Sequence, residues 1–142
     1  MKSFKIGENS YILKVANYVS NGSLYLGLDI IYNQDLYESY SDISINLDIV
    51  TKNNYIFLTN DLSIEMKKEL EKINLIKILD RKMPYNMGLY DIAEVNMEKV
   101  KELNKEGYEK YINYKDISQS NSLEDYKNSS FNPNEIDVYI EL

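Results

Sequence analysis

The chain has 142 residues, 16 basic against 23 acidic for a net charge of −7, no histidine and no cysteine. This length makes one domain with a core of its own. The missing residue types exclude disulfides, thiolate metal sites and cysteine nucleophiles, together with the commonest general base and transition-metal ligand. Arg81 is the single arginine, which nearly rules out bidentate phosphate clamps.

Ser3 to Ile6 reads as a short strand and Gly7-Glu8-Asn9 as a turn. Tyr11 to Val19 is a second strand, and Asn21-Gly22 predicts a hairpin of the primed two-residue kind. Leu24, Leu26, Leu28 and Ile30 alternate with Ser23, Tyr25, Gly27 and Asp29, so a third strand has one apolar face. Tyr32 to Asp35 is the next turn. The longest alternation runs from Tyr40 to Ile49. It is expected as one strand, with Ile43, Ile45, Leu47 and Ile49 buried and Asp42, Ser44, Asn46 and Asp48 in water. Ile45 is thereby placed in the core.

Tyr55 to Leu58 is a short strand, and Thr59-Asn60-Asp61 holds candidates for a helix N-cap. Leu62, Met66, Leu70 and Ile73 fall at helical spacing, and Asn74 suits a left-handed helix end. Ile76 to Leu79 and Gly88 to Val95 are two further strands joined by a loop that contains Pro84 and Asn86. Asn96 caps a second helix through Met97, Val100 and Leu103, and Gly107 ends or kinks it. Tyr108, Tyr111, Ile112 and Tyr114 place helical structure beyond that glycine, as packing residues. Residues 116–134 read as a loop, and Ile136 to Leu142 alternates as an added strand. The expected fold is therefore α+β: an antiparallel meander sheet covered on one face by two helices. It divides into a domain over 1–115 and an acidic C-terminal extension over 116–142. No apolar run reaches the roughly 18 residues of a membrane span, no leader opens the chain, and a cytoplasmic protein is expected.

Charge is unevenly distributed. Between Lys14 and Lys52 stand Asp29, Asp35, Glu38, Asp42 and Asp48 with no base among them. Residues 116–142 carry six acids against Lys127 alone. Such surfaces repel nucleic acid and anionic membranes and attract basic partners. Asp29, Asp35, Glu38, Tyr40, Asp42, Asp48, Glu124 and Asp125 are the candidate partner-binding residues. Tyrosine is abundant, at 14 residues, and offers broad contact area at low entropic cost. Asp42 and Asp48 lie about 20 Å apart on an extended strand, beyond any paired-carboxylate mechanism. Calcium-loop spacing is absent. No catalytic residue, metal ligand or cofactor is assigned. Lys67, Lys68, Lys72 and Lys77 are interleaved with acids and make no nucleic-acid site.

Asn21-Gly22-Ser23-Leu24, Ile43-Ser44-Ile45-Asn46-Leu47, Asn53-Asn54-Tyr55-Ile56 ahead of a capped helix, and Tyr85 to Tyr90 follow one pattern. Over residues 10 to 96 it resembles an uncharacterised family of small proteins from plasmids, conjugative elements and phages of low-GC Gram-positive bacteria. The chain has Asp48 where that family often has proline. The resemblance implies a mobile-element context, in which small acidic proteins inhibit host defences such as CRISPR or restriction. Together with the charge pattern this leads to a non-enzymatic inhibitor of a basic, nucleic-acid-handling host protein. An immunity protein against a basic toxin is the nearest alternative. A carboxylate-dependent hydrolase and an accessory subunit of a conjugation apparatus are more distant ones.

Overall fold

The computed structural model describes residues 2–33, 36–51, 54–121 and 130–131. Strands β1 (Ser3–Ile6), β2 (Asn9–Asn17), β3 (Leu24–Asn33) and β4 (Leu36–Asp42) form an antiparallel sheet in chain order, the meander expected from the alternation. Leu13 lies opposite Leu28 and Val15 opposite Leu26, so the apolar faces of β2 and β3 coincide. Leu24, Leu26, Leu28 and Ile30 are all buried. The β2–β3 connection is wider than a two-residue turn. Tyr18 and Ser23 close it through a 2.8 Å backbone bond, and the Gly22 N–H returns to the Tyr18 carbonyl at 2.8 Å. Gly22 takes the positive φ, 74°, while Asn21 does not. The Asn21 side chain is engaged elsewhere: it accepts from the Ser23 N–H at 3.0 Å and donates to Asn46 at 3.0 Å.

The Tyr40–Ile49 stretch is not one strand. β4 ends at Asp42, Ile43 bends the chain, and only Ser44–Ile45 (β5) is again extended; Val50–Thr51 (β6) follows. Ile43 hydrogen-bonds in both directions, its N–H to the Leu26 carbonyl at 2.9 Å and its carbonyl to the Thr59 N–H at 3.0 Å. It therefore passes the chain from the first sheet to a second. That sheet has the order β5, β7 (Tyr55–Leu58), β9 (Gly88–Val95), β8 (Ile76–Tyr85), all antiparallel. The bend divides the expected apolar row. Ile43 joins the main core, whereas Leu47, with half-buried Ile45 and Ile49, belongs to a smaller cluster around Phe57, Met83 and Ile92. Ser44, expected in water, is buried. Its Oγ shares a 2.9 Å hydrogen bond with the Tyr18 hydroxyl and accepts from the Leu26 N–H at 3.1 Å, so the hydroxyl is satisfied inside.

Within this sheet β7 is buried on both faces. Ile56 and Leu58 point to the main core and Phe57 to the small cluster. This is why β7 reads Tyr-Ile-Phe-Leu without alternation. The residues around Pro84, expected as a loop, continue β8 up to Tyr85. β8 is an edge strand, where a proline can sit because its missing N–H has no partner to serve. Asn86 and Met87, both left-handed at φ 46° and 67°, then make the tight turn into β9.

Three helices complete an α+β fold, which thus has two antiparallel sheets and not the single sheet expected. α1 (Ile64–Lys72) starts at Ser63, whose Oγ accepts from the Met66 N–H at 3.1 Å, not at Thr59, Asn60 or Asp61. It ends as expected at Asn74, φ 68°, with the Leu75 N–H returned to Leu70 and the Asn74 N–H to Glu71. Lys67 ties it to Asp91 on β9 at 3.0 Å. α2 (Met97–Leu103) is capped by Asn96 as expected. The break after it falls at Asn104, not at Gly107, and α3 (Lys105–Asn121) follows at once. Residues 116–121, expected to begin a loop, complete α3. Ser130–Phe131 (β10) pairs parallel with β6. Pro133 and the strand expected over Ile136 to Leu142 lie outside the described residues.

α3 packs on β2, and Tyr111 is buried there with Tyr108 and Ile112 beside it. Gly107 sits at the contact: a Cβ on it would stand 2.9 Å from the Val15 Cβ and 2.9 Å from the Asn104 amide. Alanine is ordinarily the better helix residue by about 1 kcal/mol. Here Gly107→Ala is expected to destabilise by about 1–3 kcal/mol, because helix and strand must separate. A urea midpoint equal to or above that of the parent would contradict this packing.

Candidate functional site

Strand alternation and register place Lys14, Gly27, Asp29, Ser39 and Asp42 on the outer face of the first sheet, away from the core. Asp29 is not an unbalanced acid. Lys14 contacts it at 3.2 Å and also donates to Ser39 at 3.3 Å. Asp42 accepts a 2.6 Å hydrogen bond from the Tyr25 hydroxyl. The Tyr25 phenol lies over Gly27, where a Cβ would collide with its oxygen, so the absence of a side chain there lets Tyr25 reach Asp42. Tyr18 meets Tyr25 edge to face, with centroids 5.6 Å apart.

Partial burial, then the Asp42 carboxylate, hold the Tyr25 phenol far above its ordinary range, and Tyr18 is raised by burial as well. The unfolded chain releases these protons near pH 10 while the folded chain retains them. Their contribution to stability is therefore constant below about pH 10 and falls as pH rises through and beyond it, until the folded phenols ionise too. Tyr25→Phe should make that decline shallower. Urea midpoints at pH 8, 10 and 11 test this, and an unchanged alkaline slope in the variant would refute it.

A cleft of about 460 Å³ opens where Ile43 passes the chain between the sheets. Tyr40, Ser41 and Asp42 form one wall, and Thr59, Asp61, Leu62 and Ser63, leading into α1, form the other. The hydroxyls are used locally. Ser63 caps α1, Thr59 accepts from the Asp61 N–H at 3.3 Å, and Ser41 donates to the Asp42 carbonyl at 2.8 Å. Asp42 and Asp61 are the acids of the lining and Tyr40 its aromatic residue. Among the described residues no basic side chain lines it. Asp61 escaped the sequence analysis, which weighed it only as a helix cap, because nothing local distinguishes an acid beside a cap from one in a cleft.

The other expected residues are dispersed. Glu38 lies opposite Ile30, hence on the reverse side of the sheet from Asp42, and accepts from the Tyr32 hydroxyl at 2.9 Å. Tyr40 is the extra residue of a bulge between the Leu28–Ser41 and Asp29–Ser39 pairs, and its ring packs edge-on against Tyr11 at 5.3 Å. Asp48 sits in a turn at φ 59°, its N–H bonded to Asn46 Oδ1 at 2.9 Å. Asp29, Asp42 and Asp48 therefore do not make one face. Asp35, Glu124 and Asp125 lie outside the described residues. Among the described residues no three acids gather as metal ligands, and no helix is long and apolar enough to cross a membrane.

Residues 12–115 match the family described as domain of unknown function (DUF4313), and the chain belongs to that family. No curated protein and no solved structure matches this sequence.

Proposed function

We propose that this family member is a non-enzymatic inhibitor, carried by a mobile element and acting in the cytoplasm. It binds and blocks a basic, nucleic-acid-handling protein of the host, such as a CRISPR or restriction component. The observation that supports this reading most is the cleft at Ile43, whose charged lining among the described residues is Asp42 and Asp61. A lining that holds two acids and an aromatic residue suits a lysine or arginine side chain. A protein surface that normally holds phosphate is rich in such side chains, and the chain's net charge of −7 attracts it from a distance.

Attraction of this kind speeds encounter and is screened by salt, since the Debye length falls from about 10 Å at 0.1 M to about 3 Å at 1 M. Capture of the partner from host lysate, followed by association rates at two salt concentrations, tests the proposal. The Asp42→Asn/Asp61→Asn variant should associate more slowly and with a flatter salt dependence, its fold unchanged. The parent should displace DNA from the partner and bind no DNA itself. Direct, salt-sensitive DNA binding by this chain would overturn the reading. Capture of a nuclease toxin in place of a defence protein would convert it to immunity.

A further inference from the structure

The two four-stranded sheets end in four edges, and these are not alike. β5 has two residues only. β1 has four and includes Lys5, and Lys2 just before it is bonded to the Leu103 carbonyl at 3.2 Å. β8 is long but blunted. Glu71 Oε2 takes the Ile78 N–H at 2.9 Å, Pro84 offers no donor, the register is broken between Ile78 and Lys82, and Lys77, Arg81 and Lys82 line the strand. These are the devices that keep a sheet edge from pairing with another chain. β4 has seven residues and contains no lysine, arginine or proline. It does carry a bulge at Tyr40 and the acids Glu38 and Asp42, which repel an acidic strand and admit a basic one. Leu36, Tyr37 and Tyr40 on it are 57%, 52% and 49% exposed. Its C-terminal end forms the wall of the cleft that holds Asp42 and Asp61.

We infer that β4 is a docking edge for an extended, basic segment of a partner protein, which adds to the first sheet as a fifth strand. This rests on the reading of the partner as basic and specifies how it is held. Backbone hydrogen bonds to this edge, with which no further strand among the described residues pairs, would supply affinity, and side chains at alternate positions would supply specificity. One lysine or arginine of that segment enters the cleft whose lining includes Asp42, Asp61 and Tyr40. Charge selects this occupant. No base lies between Lys14 and Lys52, and Lys14 is already held by Asp29. A second copy of this chain pairing through the same edge would bring Glu38 and Asp42 toward their own counterparts, which like-charge repulsion disfavours.

The test is amide hydrogen exchange on the full chain, with a synthetic decapeptide of alternating lysine and valine as the probe. Backbone amides within residues 37–42 should exchange at least about tenfold more slowly with the peptide present, while those of β8 stay unchanged. The same peptide methylated at alternate backbone nitrogens, or with glutamate replacing lysine, should give no protection. Asp61→Lys should abolish protection while leaving the exchange of β2 as in the parent. Absence of protection by the lysine peptide, or equal protection by the glutamate peptide, would overturn the inference. So would protection in the free protein that grows with its own concentration, which would assign the edge to a second copy. A captured basic partner that leaves β4 unprotected removes the docking edge and spares the inhibitor reading. Protection by the lysine peptide with no basic protein retained from lysate does the reverse.

Discussion

Ile43→Ala is expected to cost about 2–5 kcal/mol, the range for emptying a buried aliphatic site that cannot collapse. Ile43 is 0% exposed and belongs to the main core, while its backbone is bonded to Leu26 on one sheet and to Thr59 beside the other. Those two hydrogen bonds hold the Cα in place, so the surrounding side chains have little freedom to close the void. Ile45, two residues on, is only half-buried against the smaller cluster. Its removal should cost about 1–2 kcal/mol, because less apolar surface returns to water. Urea denaturation of the two variants side by side decides the matter. Equal losses, or a larger one at Ile45, would mean that the stretch runs as the continuous strand its alternation predicts and that the bend is misplaced.

Asn104→Ala should destabilise by about 2–4 kcal/mol, combining a lost helix cap with a stranded buried acceptor. Asn104 is buried and serves three elements at once. Its N–H ends α2 on the Val100 carbonyl at 2.8 Å, and its carbonyl accepts from the Tyr108 N–H in the first turn of α3 at 2.9 Å. Its side chain accepts from the Gly107 N–H at 3.0 Å and donates to the Leu13 carbonyl at 2.9 Å. Alanine keeps the backbone bonds and deletes both side-chain bonds in a place water does not reach. Asn104→Ser restores a capping oxygen yet is too short to reach Leu13, so it should recover only part of the loss. The Gly107 amide should exchange faster in the alanine variant. A loss under about 1 kcal/mol would show that water replaces the side chain and that the helix junction is not sealed.

Local sequence alone determined much of this protein. The β2–β3 faces, the Asn74 helix end, the Asn96 cap and the α+β class were all legible, since each rests on a pattern completed within about ten residues. Failures came where a residue's role depends on what lies across from it. Alternation from Tyr40 to Ile49 predicts which side chains share a face only while the strand stays in one sheet. The transfer at Ile43 depends on Leu26 and Thr59, distant in sequence, and it places Ile43 and Leu47 in different cores and Ser44 inside. Pro84 stays extended because β8 is an edge, a property of strand order and not of Pro84. The acids between Lys14 and Lys52 were visible as a count, but their grouping required register. Lys14, outside that interval, lies beside Asp29 because Ile12 pairs with Asp29 two residues away on the same face. Asp61 meets Asp42 across a cleft because the main chain turns at Ile43. Charge composition is additive along the chain, whereas a binding surface is a matter of which charges are neighbours, and only tertiary packing decides that.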